Sequence, residues 1–544
     1  MTPGSKNGGS APDVVNSAEE NPDVPPVSGS DRDIERRLKV FEEQERRRLE
    51  LPVKNIEQWR DRSDPRFLAA ERESTTILLG GLTVAQDVMI QAALEGIGYT
   101  IETLPCPDND AMHLGKEFGN RGQCNPTYFT VGSLLQKLTG LRDAGMPVEE
   151  IIRRYVFLTA GACGPCRFGT YATEYRKALR DSGFDGFRVL LFQQQGGLKQ
   201  AAGFGTGMSF SPRFFLQIIR ALIAGDLLNA MAYRIRPYEV HPGRTDEVLE
   251  RCKAITCEAL RHRSSLFLAL RRCRSELNGI EVDRLQAKPR VMIIGEFWAM
   301  TTEGAGNYHL QRFLESEGAE VDVQFVTSWL LYMLWQNRYD ARRRMTLRHA
   351  DDRSKGLSGR YARLVLLRLS IAEQLLRLMF RAMARAIGLE HCHLPDMDLM
   401  ALQAGEFYDV ELRGGEGHME VGKVIDSVAG RKSHMIISVK PFGCMPSSGV
   451  SDGIQSAVIA RHPEAVFCPV ETTGDGDVNF QSRVLMHLFK ARRQANDEFG
   501  EALHRRGLTL EEARQRLTRR QREGTYYPPH QSAGLGANLI AVIP

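Results

Sequence analysis

Long apolar runs are missing from this sequence of 544 residues. No stretch reads as the roughly 18 uninterrupted apolar residues that a membrane span requires. The nearest approach, Leu364 to Ile387, is broken by Arg368, Glu373, Arg377, Arg381 and Arg385. That spacing describes an amphipathic helix. An apolar leader is also lacking at the start, where residues 1–30 are rich in Pro, Gly, Ser, Asp and Asn. A cytoplasmic protein is the expectation. Excess charge of one sign is absent too. The net charge of +4 is small for this length and gives no case for nucleic acid or an anionic membrane as partner. No phosphate-binding glycine loop is recognisable, and no second CxxC stands at zinc-ribbon spacing from Cys163-Gly164-Pro165-Cys166.

What is present is an ordinary globular composition, 42% hydrophobic and 25% charged, in a chain too long for a single core. Residues 1–70 read as a disordered tail followed by a charged helix, Asp31 to Leu49. Thr76 to Leu79 then reads as a strand, Val84 to Leu94 as a helix, and Tyr99 to Leu104 as a second strand, with glycines between them. The order returns at Arg290 to Gly295 (strand), Asn307 to Glu317 (helix) and Ala319 to Val326 (strand). The pattern predicts two similar α/β lobes of flavodoxin- or Rossmann-like type with parallel sheets, 71–288 and 289–490. The second carries a helical insertion over 328–389. Residues 491–544 are expected to form a basic exposed helix, Leu508 to Arg522, and an irregular tail. Arg244 to Leu277 is expected as one long helical stretch.

The 10 cysteines carry the chemistry. Without a secretory context, cysteine clusters bind metal or catalyse more often than they form disulfides. The apolar strand from Tyr155 runs into Cys163 and Cys166. Alone, that pair fits a redox dithiol, half a zinc site or iron–sulfur ligands. Cys124, in Gly122-Gln123-Cys124-Asn125-Pro126, and Cys444, in Gly443-Cys444-Met445-Pro446, also lie on polar turns beside helices or strands. Ligand roles are expected for both. Cys106 and Cys468 are evenly balanced between ligand and core. Cys392, flanked by two histidines, is expected in a solvated loop, and Cys252, Cys257 and Cys273 in helix interiors. Three cysteine turns from two lobes suit a soft polynuclear iron site at the lobe interface. His113, His418 and His434 are expected as surface or core residues, leaving no catalytic acid or base assigned.

These same stretches resemble the 2-hydroxyacyl-CoA dehydratase family, the iron–sulfur subunits of 2-hydroxyglutaryl-CoA dehydratase and benzoyl-CoA reductase type, in its activase-linked branch. Gln123 to Tyr128 is similar to the family's Cys-X-Pro turn. Cys166-Arg167 resembles its Gly-Cys-Arg turn, Arg234 to Glu239 a run of the activase-linked branch, Arg290 to Glu296 the start of its second lobe, and Lys440 to Pro446 its Pro-Phe-Cys-Leu-Pro turn. The resemblance spans roughly residues 75–490. It implies a lyase or reductase with an oxygen-sensitive [4Fe–4S] cluster held by Cys124, Cys166 and Cys444, with Cys163 as an extra thiol that would replace or supplement Cys166. A double-cubane cluster that reduces small molecules is the branch alternative; a non-catalytic or thiol-sensing member is the other. The family implies a separate ASKHA-type ATPase activator that donates an electron and an acyl-CoA substrate that loses hydroxide through a ketyl radical; a homo- or heterodimeric assembly stays open.

Overall fold

A computed structural model describes residues 31–49, 67–161, 166–193, 207–346, 362–412, 414–415 and 417–544. The chain divides into two compact units, Met1–Arg62 and Ser63–Pro544. In the first, α1 (Asp31–Arg48) forms where expected, with Glu42 and Arg46 paired one turn apart at 2.9 Å. The expected disordered tail, residues 1–30, lies outside the described residues.

The larger unit holds two four-stranded sheets. In the first, β1 (Thr76–Leu79), β2 (Thr100–Thr103), β3 (Tyr155–Gly161) and β4 (Arg188–Gln193) run parallel in the order β2-β1-β3-β4. In the second, β5 (Arg290–Gly295), β6 (Glu320–Val323), β7 (Met435–Pro441) and β8 (Phe467–Thr472) repeat that order as β6-β5-β7-β8. Register shows the equivalence: Thr76 faces Thr100 and Tyr155, while Val291 faces Val321 and Met435. The two α/β lobes anticipated from the repeated pattern are therefore present. Each sheet has a switch point, β1/β3 or β5/β7, where chain direction across the sheet reverses and loops diverge to leave a crevice.

Helices flank both sheets. In the first lobe they are α2 (Val84–Glu95), α3 (Asn109–Phe118), α4 (Asn125–Asp143), α5 (Val148–Arg154) and α6 (Tyr171–Asp181). Thr83 starts α2 as a capping box with Gln86, accepting the Gln86 N–H at 3.2 Å. The packing of α3 on α4 is unusually close. A Cβ at Gly115 or Gly132 would strike the carbonyls of Tyr128 or Ala111, so glycine is required at both for the helices to approach.

Beyond β4 run α7 (Pro212–Ile235), α8 (Arg244–Arg261) and α9 (Leu266–Asn278). The last two divide what the sequence reads as one helical stretch. Arg263 adopts φ 53° and Ser265 caps α9, accepting the Leu268 N–H at 3.4 Å. Pro212–Tyr238 is long and apolar enough to cross a membrane, contrary to the expectation of no such run, yet 67% of its apolar window is buried. It packs with α8 and α9 in an all-helical core.

The second lobe adds α10 (Phe297–Thr301) and α11 (Leu310–Ser316), then the insertion as two helices, α12 (Thr327–Thr346) and α13 (Ala362–Ile387). It continues with α14 (Met397–Ala404), a π-turn Gly417–Val421 and α15 (Gly422–Ala429). After β7 come α16 (Met445–Gly449), a second π-turn Val450–Ile454 and α17 (Gln455–Arg461).

The C-terminal region departs from expectation. α18 (Asp477–Arg506) runs through the anticipated boundary at 490 without a break, and α19 (Leu510–Arg516) is only two turns long. Residues 526–544, expected to be irregular, contain α20 (Leu535–Ala541). Leu535, Leu539 and Ile540 of α20 join Leu285, Ala502 and Ala513 in a separate apolar cluster. Burial against α18 and α19 supplies what seven residues of weak intrinsic helicity lack.

Candidate functional site

The lobes meet through their sheet-end loops. Phe129 of α4 packs on Trp298 of α10, ring centroids 5.4 Å apart. Glu303 of the second lobe accepts the Val84 N–H at the start of α2, at 2.8 Å. Asp226 of α7 accepts the backbone N–H groups of Val326 and Thr327 at 2.9 and 2.8 Å. Two cysteine turns lie at this junction.

Cys124 is the N-cap residue of α4, with Gly122 at φ 78° before it and Pro126 in the first turn after it. Glu174 of α6 pins the turn, accepting from Asn120 N at 3.1 Å, Asn120 Nδ2 at 2.8 Å and Gln123 Nε2 at 3.0 Å. Cys444 is the N-cap of α16 and repeats the arrangement, with Gly443 at φ 79° before it and Pro446 after it. Both are Cys-X-Pro at a helix start. Cys166 is an N-cap as well, of the 3-10 turn Arg167–Thr170, and its Sγ accepts the Phe168 N–H at 3.4 Å. Such positions usually carry Ser, Thr, Asp or Asn. Of the three, the Cys166 sulfur makes a side-chain cap bond, whereas Cys124 and Cys444 hold the N-cap position without one.

The turns touch. Asn125 N donates to Phe442 O at 2.9 Å, and Phe442 N donates to Thr472 O of β8 at 2.9 Å. Gly443 lies so close to the Cys124 turn that a Cβ there would sit 2.9 Å from Gln123 O and 3.0 Å from Cys124 Cα. From the other side, the Arg167 guanidinium donates to Gly122 O. The Cys124 turn is thus held between the Cys444 turn of the second lobe and the residue beside Cys166. Cys163 lies outside the described residues.

Cys124 and Cys444 are buried. Cys124 Sγ stands 3.0 Å from Tyr171 Oη and 3.1 Å from Thr127 Oγ1. Burial pushes the Cys124 thiol up, and the hydrogen bonds from Thr127 and Tyr171 oppose that shift. The junction also collects buried polar atoms without partners among the described residues: Gln123 Oε1, Asn125 Nδ2, Arg167 Nε, Ser447 Oγ and Thr472 Oγ1. Each neighbours a cysteine turn in sequence or through a hydrogen bond. Buried polar groups are ordinarily satisfied, and comparable atoms also occur away from the cysteine turns, at Thr75, Ser133, Thr245 and Arg284.

Two carboxyl groups that sequence reasoning passed over belong to the same region. Glu296 follows β5 at its switch point, donates from its backbone N to Val439 O at 2.9 Å, and caps α10 by accepting the Ala299 N–H at 2.8 Å. Burial raises its pKa, and its charge in turn raises those of Cys124 and Tyr171. Glu420, on the first π-turn, accepts from Ser438 Oγ and Gln455 Nε2 through Oε1, while its Oε2 has no partner among the described residues. Burial pushes its carboxyl up to about 7. A carboxylate directly following a strand at a switch point was the available signal for Glu296. Nothing local marks Glu420.

Of the remaining candidates, Cys106 also stands where the lobes meet, beside Thr302 and Glu303, and the others lie in the core or on the surface. Cys106 Sγ lies 3.8 Å from Thr302 Oγ1. Cys468 is fully buried in β8, and Cys392 is buried in the helical core, not in a solvated loop. Cys252 and Cys273 face each other across α8 and α9, and Cys257 points at Val88 O. His113 is exposed. His418 packs against Trp335, and His434 Nδ1 accepts the Arg290 N–H at 3.0 Å. The loop Glu303–Asn307 is tied to the residues before it, with Asn307 Nδ2 donating to Ala299 O and Thr302 O.

Among the described residues, no group of three or more His, Cys, Asp or Glu side chains is disposed as a metal site. What the junction offers in donors is two buried N-cap thiols on abutting turns, with the Cys166 turn tied to one of them through Arg167. No protein-family model matches the chain, and no curated protein matches it.

Proposed function

We propose that the chain is a cytoplasmic iron–sulfur enzyme component of the 2-hydroxyacyl-CoA dehydratase type, a lyase or reductase served by a separate ATP-hydrolysing electron donor. The observation that carries the reading is the abutment of the Cys124 and Cys444 turns across the two lobes, with the Cys166 turn tied to the first through Arg167. It agrees with the resemblance that assigns ligands to these three cysteines.

In this reading Cys124, Cys166 and Cys444 hold a [4Fe–4S] cluster, with Cys163 as a further thiol. When bound, such a cluster would supply one-electron chemistry at low potential. The chain's own groups do the rest. The Tyr171 and Thr127 hydroxyls donate to the Cys124 sulfur once it is a thiolate, which disperses its charge. The Glu296 carboxyl, whose pKa burial raises and whose charge is felt at Cys124, is the acid this reading assigns to the departing hydroxide. The close-packed α3 and α4 exclude water behind the turn.

Anaerobic purification followed by iron analysis of Cys124→Ser, Cys166→Ser and Cys444→Ser tests the assignment. Each variant is expected to lose most of its iron. Full iron content in all three would overturn it, and about eight irons in the parent protein would indicate the double-cubane alternative.

A further inference from the structure

α13 carries two apolar faces. One packs inward through Leu376, Phe380, Met383 and Ile387. The helix's only acid, Glu373, is buried there and paired with Arg338 at 2.6 Å and Arg377 at 2.9 Å. The other face points outward. Leu364, Leu367, Ile371, Leu375 and Leu378 are between 43% and 58% exposed. Their spacing of three, four, four and three residues puts them in one row along the helix, about 21 Å long at 1.5 Å per residue. Exposed Arg363 and Arg381 border the row on one side and Arg368 on the other, with Arg385 beyond its end. No exposed acidic side chain lies on α13. The neighbouring α9, which packs on α13, exposes Phe267, Leu268, Arg271 and Arg272.

We propose that the outer row of α13 is a docking seam for a helix of a partner protein whose own apolar stripe is bordered by Glu and Asp. This is independent of the chemistry assigned to the cysteine turns. Three features select the occupant. A row one residue wide matches the seam of helix-on-helix packing, whereas a helix lying in a lipid interface presents a broader apolar face. Arginine on both borders calls for acid on both borders of the partner, the arrangement that fixes pairing in coiled coils. The same charge disfavours a second copy of α13, because arginines would face arginines.

The test uses two synthetic amidated peptides of about eighteen residues, both with Leu at helical seam positions. One has Glu on the flanks and the other Lys. Fluorescence anisotropy with the full chain is expected to show the Glu-flanked peptide binding at least about tenfold more tightly. Ile371→Ser with Leu375→Ser is expected to weaken it by about tenfold or more, at unchanged melting temperature. Arg368→Glu with Arg381→Glu is expected to shift preference toward the Lys-flanked peptide, which a lost fold would not do. Four results would each overturn the proposal: no binding of the Glu-flanked peptide at about 100 μM, equal binding of both peptides, self-association abolished by the Ile371/Leu375 variant in sedimentation equilibrium, or phosphatidylserine-vesicle binding abolished by that variant.

Discussion

Gly443→Ala probes the contact that joins the lobes at the cysteine turns. Two costs add. At φ 79° an L-residue is strained, which costs about 1–2 kcal/mol. The new Cβ would also stand 2.9 Å from Gln123 O, 3.0 Å from Cys124 Cα and 3.3 Å from Cys124 N. All three are backbone atoms, so relief requires the turns to part. That weakens the 2.9 Å bond from Asn125 N to Phe442 O, at about 0.5–1.5 kcal/mol. The sum is about 1.5–3.5 kcal/mol. Gly145→Ala is the control: Gly145 has φ 95° but nothing within 4 Å of its Cβ position, so it bears the strain alone. Urea denaturation of both variants measures the difference, and iron analysis of anaerobic protein reports on the site. Gly443→Ala is expected to be less stable than Gly145→Ala by about 1 kcal/mol and to lose iron. Equal stability with equal iron would refute the idea that this close approach organises the site.

Gly132→Ala, whose Cβ would collide with Ala111 O, should separate α3 from α4 and lower stability by about 3 kcal/mol or more, read as a fall in the urea midpoint. Tyr171→Phe removes the hydroxyl 3.0 Å from Cys124 Sγ. It should cost about 1 kcal/mol and move the potential of iron-loaded protein to a more negative value, measured by redox titration. Glu420 carries a pH prediction. Its folded carboxyl titrates at about 7 against 4.5 when free, so the fold favours the protonated form. Stability from this group is fully present below pH 4.5 and is lost as pH rises toward 7, a total of about 3 kcal/mol at 1.36 kcal/mol per unit. Glu420→Gln should remove that slope from urea unfolding measured across the same range; an unchanged slope would assign the dependence elsewhere.

The sheets were legible because their signals are local. Ile77 to Leu79 and Val291 to Ile294 are short β-rich runs ending at glycine, and each is followed by a helix and a second strand in the same order. The cysteine turns were legible for a similar reason, since Gly, Asn and Pro around Cys124 and Cys444 already describe turns. What escaped depends on partners far along the chain. α20 is seven residues after a Gly-bearing segment, and only its burial against α18 and α19 makes it a helix. The division between α8 and α9 rests on Arg263 in a left-handed conformation, which arginine does not advertise. Cys392 looked solvated between two exposed histidines, yet it alone of the three turns inward. Glu296 and Glu420 gain their raised pKa values from burial that the fold alone creates.

The iron and sulfide content of anaerobically purified protein, with its electron paramagnetic resonance spectrum after one-electron reduction, tests whether the abutting cysteine turns hold an iron–sulfur cluster. About four irons per chain and the signal of a reduced [4Fe–4S] centre are expected. Iron-free protein, stable in air and with Cys124, Cys166 and Cys444 all alkylated after unfolding, would contradict it.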